Sequence, residues 1–274
     1  MIPAPFEYRE AGSVDEAVSL LREHGDEAKL LAGGHSLLPL MKLRLATPAV
    51  LVDIGRLSEL SYVRDAGEHV AIGAMTRHHD LQHDATAVRH APLLAAVAAR
   101  VGDPQVRHRG TIGGSISHAD PASDLPAAVL ALGGTLIARG PGGERAVAAS
   151  DFFTGFLETV LSPDEVLVEI RVPKASDGHS YQKFVRRSQD WAIVGAVAVR
   201  TAGGVGVALV NVAPTPVRAG AVEEALAAGA SAAEAAEHAA DGLEPSSDLN
   251  ATPAFRRHLA RVLTRRALAD AGVS

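Results

Sequence analysis

Along the first part of the chain, short apolar runs alternate with stretches of helical spacing. Val14, Ala17, Val18 and Leu21 recur at helical intervals behind Ser13, which predicts a helix over 13–24 with Ser13 as N-cap and Glu16 as its capping-box partner. KLLA (29–32) is an apolar run that stops at Gly33-Gly34, the pattern of a strand ending in a glycine turn. SLLPLMKLRLA, with Pro39 near its start, predicts a short helix. VLVDI (50–54) and HVAIGA (69–74) predict strands, and DLQHD behind them has helix character. APLLAAVAARVG (91–102) places Pro92 in a first turn and Gly102 as a stop, and DLPAAVLALG suggests a further helix opened by Pro126. TLIARG (135–140) and ERAVAA, joined by PGGE, predict a hairpin, and VLVEIRVP (166–173) is a strand closed by Pro173.

Beyond the linker KASDGHS (174–180) the pattern changes. YQKFVRR and AIVGAVAVRTAGGVGVALVNVAP, with its Gly-Gly turn, predict an antiparallel meander. Two helical stretches follow, one over about 220–241 and one at FRRHLARVLTRRALADA. A domain boundary near residue 175 follows from this shift, and no internal repeat of roughly 20–50 residues is evident.

Composition narrows the function. The 274 residues, 47% hydrophobic and 21% charged, suit one large or two modest globular domains. A net charge of −6 disfavours non-specific binding to nucleic acid or anionic lipid. The chain holds no cysteine, which excludes a disulfide, a cysteine nucleophile, a thiolate zinc site and a cysteine-held iron–sulfur cluster within it. Redox chemistry would need a bound cofactor or a partner's centre. MIPAPFEYREAGS does not read as a targeting signal, and no apolar run approaches ~20 residues, so a cytoplasmic protein without integral membrane association is expected.

Two glycine-rich segments carry the candidate chemistry: Ala32-Gly33-Gly34-His35-Ser36-Leu37 and Thr111-Ile112-Gly113-Gly114-Ser115. Glycine pairs permit positive φ at successive residues, so consecutive backbone N–H groups could form a nest for the oxygens of a diphosphate, with Ser36, Thr111 and Ser115 adding hydroxyls. A plain pair of turns is the competing reading. Neither segment fits G-x-G-x-x-G, and no Gly-Lys is present for a P-loop, which disfavours Rossmann-type and Walker-type binding. His79 and His83, beside His78, have the i, i+4 spacing of a metal pair but lack an H-E-x-x-H pattern, so no metal site is assigned. His35 and His118 are better placed as polar neighbours of a ligand. The acidic run from Glu223 to Asp248 reads as a solvated helical face and loop. The basic tail Arg256, Arg257, Arg261, Arg265 and Arg266 reads as a solvated helix face, with partner docking as the alternative.

AGGHSLLPLMKLRLATP (32–48), AIGAMTRHHDL (71–81), RGTIGGSISHADPASDLPA (109–127) and VALVNVAPTPVRA (207–219) together resemble the FAD-binding medium subunit of molybdenum hydroxylases of the carbon monoxide dehydrogenase and xanthine dehydrogenase family. The resemblance runs over nearly the whole chain. It implies an α+β fold: a two-subdomain PCMH-type FAD-binding domain over 1–174 (subdomains about 1–55 and 56–174), then a small C-terminal domain over 175–274 with an antiparallel sheet and helices. It places Ala32, Gly33, Gly34, His35, Ser36 and Leu37 around the FAD diphosphate, with Thr111, Gly113, Gly114 and Ser115 opposite. Ala74 and Thr76 would run beside the ribityl chain and ring, and Val101, Gly102 and Gly110 would line the cofactor. Asp124 would lie near the adenosine side, where a carboxylate can accept from ribose hydroxyls; taken alone, it reads as an N-cap before Pro126. Leu167 and Lys183 would border the flavin pocket. Trp191, the only Trp, would either cover a flavin face or pack in the C-terminal core.

The same resemblance implies two partners, a large subunit with the molybdenum cofactor and a small subunit with two [2Fe–2S] clusters, in a dimer of heterotrimers. Electrons would pass through the clusters to FAD in this chain and on to an external acceptor. No catalytic acid, base or nucleophile is expected here. A self-contained FAD oxidase or reductase of the related fold is the alternative, and a subunit that has lost FAD a third reading, against which the intact GGHS and TIGGS stand.

Overall fold

Strand Glu7–Glu10 opens a three-stranded parallel sheet in the computed structural model, which describes residues 2–175 and 178–274. Residues 176 and 177, inside the expected linker, lie outside the described residues. Val50–Asp53 takes the centre of this sheet, between Glu7–Glu10 and Ala28–Leu31. Parallel neighbours need a crossover, and helices Val14–His24 and Leu37–Lys42 supply the two. Ser13 caps the first, accepting from the Glu16 N–H at 3.1 Å. The Glu16 carboxylate reaches back to the Gly12 N–H at 2.8 Å.

The middle of the chain builds a five-stranded antiparallel sheet in the order Val63–Asp65, His69–Gly73, Val166–Pro173, Thr135–Gly140, Gly143–Ala148. Its central strand slips register between Leu167 and Glu169, and the Val168 carbonyl there accepts from the Ala74 N–H at 3.0 Å. Six short helices lie in the chain between strands His69–Gly73 and Thr135–Gly140: His78–His83, Ala85–His90, Pro92–Ala98, Pro104–Arg109, Ile112–His118 and Asp124–Ala131. Three of these depart from the sequence expectation. The helix at Pro92 ends at Ala98, although Gly102 does hold a left-handed φ of 47°. The helix at Pro126 begins at Asp124 with Ser123 as N-cap, so Asp124 stands in the first turn and is not the cap. The second glycine pair, expected as a loop, lies inside the first turn of Ile112–His118.

The C-terminal part forms a four-stranded antiparallel sheet, His179–Phe184, Val194–Thr201, Gly204–Val210 and Val217–Arg218. Helix Pro253–Asp270 packs on it. The stretch expected over about 220–241 divides into helices Gly220–Ala227 and Ala232–Ala236 and a 3-10 turn Glu237–Ala240. Side chains alternate across strand Val194–Thr201. Val194, Ala196 and Ala198 share a core with the C-terminal helices. Val197 and Val199 share one with the central domain, including Leu125 and Val129 of helix Asp124–Ala131. Burial on both faces is why this antiparallel strand reads as a continuous apolar run. The fold is α+β, and no helix among the described residues is long and apolar enough to cross a membrane.

Candidate functional site: two glycine segments and a buried ion pair

Residues Ala32–Ser36 leave the end of a parallel strand and enter helix Leu37–Lys42. Such a strand-to-helix turn exposes backbone donors. Among the described residues the N–H groups of Gly33, Gly34, His35 and Ser36 donate no hydrogen bond, and the Ser36 hydroxyl does not cap the helix it precedes. Gly34 alone of the four glycines in the two pairs has a left-handed φ, 76°. A row of free N–H groups beside an unspent hydroxyl is an anion cradle, and its donor set fits a diphosphate.

The second segment works by a different device from the one expected. Gly113 and Gly114 are helical, and the N–H groups of Ile112, Gly113, Gly114 and Ser115 are committed to Thr76 O, Ala74 O, Thr111 Oγ1 and Thr111 O. They form no nest. Their glycines serve close approach instead. A Cβ on Gly113 would lie 2.5 Å from the Ala74 Cβ and 2.6 Å from its carbonyl oxygen, so only glycine lets the helix start seat on the loop after strand His69–Gly73. A Cβ on Gly33 would lie 2.4 Å from Arg109 O and 2.8 Å from the Gly110 Cα, which packs the first segment directly onto the approach to the second. A Cβ on Gly114 would stand 3.9 Å from that of Ala32. The two segments therefore lie against one another at Gly33 and Gly114. The second contributes Gly114 and the Ser115 hydroxyl, while Gly113 is packed on Ala74 and the Thr111 hydroxyl is spent as N-cap.

The other expected residues surround this cradle unequally. Ala74 and Thr76 are buried, and the Thr76 hydroxyl turns inward to Tyr62 O at 2.9 Å. Arg107 donates to Val101 O at 3.0 Å and Gly102 O at 3.3 Å, which holds that loop against helix Pro104–Arg109. Gly110 lies against the His78 ring. His78 is buried, its Nδ1 has no partner, and desolvation lowers its pKa to about 4. Leu167 is buried at the register slip of the central strand.

Asp124 and Lys183, 59 residues apart and assigned separately, meet. The Lys183 ammonium donates to Asp124 Oδ2 at 2.8 Å and to Arg100 O at 3.1 Å. Tyr181, which sequence reasoning missed, donates its phenol to Asp124 Oδ1. Burial pushes the Asp124 carboxyl upward, and Lys183 and Tyr181 pull it back; burial also drives the Tyr181 phenol well above its ordinary range. The two-residue spacing of Tyr181 and Lys183 on one strand face was the available signal.

Trp191 is 56% exposed and so is not a core residue. It lines a cavity of about 610 Å³ with Asp120, Phe156, Arg186, Asn211 and Arg256. Arg256 also departs from expectation. It is 1% exposed and donates to Ile193 O and Asn211 O, and it pairs with Asp248 at 2.7 Å, so it is a buried strut and no part of a solvated face. The ring of His79 lies tilted against those of His83 and His108, with centroids 4.5 and 3.9 Å apart, and no group of three potential metal ligands occurs among the described residues.

Comparison with known proteins places the whole chain in one family. Residues 4–175 match the model of the FAD binding domain in molybdopterin dehydrogenase, and residues 179–271 that of the CO dehydrogenase flavoprotein C-terminal domain. The chain is 45% identical over 279 residues to the carbon monoxide dehydrogenase medium chain of Hydrogenophaga pseudoflava, covering 98% of this chain and 97% of that one. It is 37% identical to the glyceraldehyde dehydrogenase medium chain of Sulfolobus acidocaldarius, covering 98% and 99%. Among solved structures, carbon monoxide dehydrogenase from H. pseudoflava lacking the Mo-pyranopterin moiety superimposes with a TM-score of 0.96 at 45% identity, over 99% of each chain.

Proposed function

The chain belongs to the family of FAD-binding medium subunits of carbon monoxide dehydrogenase/xanthine dehydrogenase type, an oxidoreductase component with FAD as its cofactor, and from that premise we propose that it performs the flavin step of a heterotrimeric molybdenum hydroxylase. In this reading substrate is oxidised at a molybdenum cofactor in a large partner subunit. Electrons cross two [2Fe–2S] clusters in a small partner and leave from this chain to an external acceptor. Bound FAD supplies the site where electrons from one-electron centres are collected before transfer. The absence of cysteine supports the division of labour, since the clusters need ligands this chain does not have. The assembly is a cytoplasmic dimer of such heterotrimers.

The observation that carries the reading is the free N–H row over residues 33–36, with Gly114 of the second segment close to Ala32 beside it. The N–H groups from Gly33 to Ser36 and the hydroxyls of Ser36 and Ser115 would bind the diphosphate oxygens, with Ala32, Leu37 and Thr111 shaping the cradle. Ala74, Thr76, Val101, Gly102 and Gly110 would exclude water along the rest of the cofactor. Leu167 and Lys183 would border the flavin pocket; Asp124, expected near the adenosine side, would share that border instead, because it pairs with Lys183, and the exposed Trp191 would cover a flavin face. The FAD-binding domain is taken as 1–174 and the C-terminal domain as 175–274.

The test is purification of the chain with its partners, followed by a visible spectrum and a flavin count. One FAD per copy of this chain, released on acid precipitation, is expected. Assembled complex without stoichiometric flavin, or substrate turnover by the isolated chain, would overturn the proposal.

A further inference from the structure

Tyr181 and Lys183 leave the same face of strand His179–Phe184 and end on one carboxylate, that of Asp124 in the first turn of helix Asp124–Ala131. All three side chains are buried; those of Lys183 and Asp124 are 4% and 6% exposed. The Tyr181 ring lies in a hollow made by Gly195. A Cβ on that glycine would come within 3.0 Å of the ring edge and 3.1 Å of the hydroxyl. The phenol is thus held in one place, and its donor is aimed at Asp124 Oδ1.

A buried Lys–carboxylate pair contributes little stability over an apolar pair of similar volume, so fold stability is a weak reason for this arrangement. Donor counting points elsewhere. An ammonium has three N–H donors, and Lys183 gives one to Asp124 and one to Arg100 O, the residue that precedes the Val101–Gly102 loop. One donor is left, with a positive charge held at a fixed point beside that loop. Tyr181 removes the remaining freedom: it occupies Oδ1, so Oδ2 is the oxygen left for Lys183.

We propose that Tyr181 is a positioning residue for the flavin pocket, fixing Asp124 so that the third donor of Lys183 is presented to the isoalloxazine ring. This rests on the FAD assignment above. Tyr181 and Lys183 come from the C-terminal sheet, whereas Asp124 and Arg100 come from the FAD-binding part, so the ring end of the pocket is complete only when the two are docked. Without the phenol, the carboxylate is free to turn and draw the ammonium with it. The donor near the ring is then misplaced, and the reduced cofactor, which carries more electron density, loses more than the oxidised one.

The experiment compares wild type, Tyr181→Phe, Lys183→Met and the double variant as holoproteins. Tyr181→Phe keeps the ring in its hollow and removes only the donor. The readouts are the midpoint potential of the bound flavin and FAD affinity, with thermal melting as the check on folding. For Tyr181→Phe, the ratio of affinities for reduced over oxidised flavin should fall at least tenfold, a drop of about 30 mV for a two-electron couple. Lys183→Met should lower it as far or further, and the double variant no further than Lys183→Met, because the two act in series. A ratio of reduced to oxidised flavin affinity in folded, flavin-loaded Tyr181→Phe that stays short of the tenfold fall, or additive effects in the double variant, would overturn the proposal. Should Tyr181→Phe fail to fold, an unchanged potential in Lys183→Met overturns it equally. Wild-type chain that binds no FAD in assembled complex overturns the cofactor assignment and this proposal with it, a result distinguishable from either of the others.

Discussion

Substituting Gly113 by Ala sets two effects of opposite sign against each other. Gly113 sits in helix Ile112–His118 at a helical φ, so intrinsic propensity alone would favour Ala by about 1 kcal/mol. Packing opposes this. The added Cβ would stand 2.5 Å from the Ala74 Cβ, 2.6 Å from its oxygen and 2.9 Å from its Cα, well inside the ~3.5–4.0 Å of a normal carbon contact. Ala74 cannot swing aside, because its N–H is bonded to Val168 O at 3.0 Å and its carbonyl accepts from Gly113 at 2.9 Å. Overpacking of this kind costs about 1–3 kcal/mol, and a displaced backbone hydrogen bond about 1 kcal/mol more. The packing terms win by about 1–3 kcal/mol, a fall in Tm of roughly 2–4 °C for each kcal/mol in a chain of this size class. The assay is thermal unfolding with and without saturating FAD. Gly113→Ala should melt lower than wild type, and its rise in Tm on adding FAD should shrink, because the displaced loop borders the cradle. Gly220→Ala is the control. It opens helix Gly220–Ala227 with nothing within 4 Å of its would-be Cβ, so it should melt at or slightly above wild type. A Gly113→Ala protein with wild-type Tm and wild-type response to FAD would refute the close-approach argument.

Two further outcomes follow from buried groups. Replacing Arg256 by Ala should destabilise the protein by about 3–5 kcal/mol in chemical denaturation, because Ile193 O and Asn211 O lose their donor and Asp248 its partner; a loss below about 1 kcal/mol would place Arg256 outside the core. His78 provides a pH test. Its pKa falls from 6.5 unfolded to about 4 folded, so the unfolded chain binds the extra proton between those values. Stability from this site is therefore complete above about pH 6.5 and is lost as pH falls toward 4, to the extent of about 3 kcal/mol. His78→Gln should flatten the stability–pH curve across that window, and an unchanged slope would show that His78 is not the buried neutral group.

What was legible in the sequence followed burial. Val166–Pro173, Thr135–Gly140 and Val194–Thr201 are strands whose apolar runs report burial directly, and Ser13 and Glu16 marked their helix because capping is local chemistry. Glu7–Glu10 escaped notice because all four residues are exposed, so no apolar alternation marks the strand; tertiary pairing to Val50–Asp53 makes it one. Ile112–His118 was hidden by its glycines, whose reason for being there is a neighbour distant in sequence. A glycine's duty is not written in its own segment. Gly34 uses left-handed φ, whereas Gly33 and Gly113 leave room for a backbone. Arg256 could have been placed correctly, since it precedes Leu259, Ala260 and Leu263 at i+3, i+4 and i+7 and so belongs to the apolar stripe of its helix.

The alternation in the C-terminal sheet bears on how the cofactor site is held together. Val197, Val199, Ala208 and Val210 bury themselves against the FAD-binding part, while their sequence neighbours Val194, Ala196, Ala198, Val207 and Leu209 bury themselves under the C-terminal helices. One sheet thus serves two cores, and neither face can be exposed without loss of apolar burial, at about 25 cal/mol for each Å² returned to water. The free N–H row over residues 33–36 and the neighbouring Gly114 lie wholly within the first 175 residues. The Asp124–Lys183 pair crosses to the C-terminal sheet. A cradle for the cofactor's charged middle can therefore form within the N-terminal part alone, whereas the charge at Lys183 is delivered by docking. On the proposed assignment, binding and electronic tuning would fall to different parts of the fold, coupled by the shared sheet, since the strand that carries Lys183 is hydrogen-bonded along its length to Val194–Thr201.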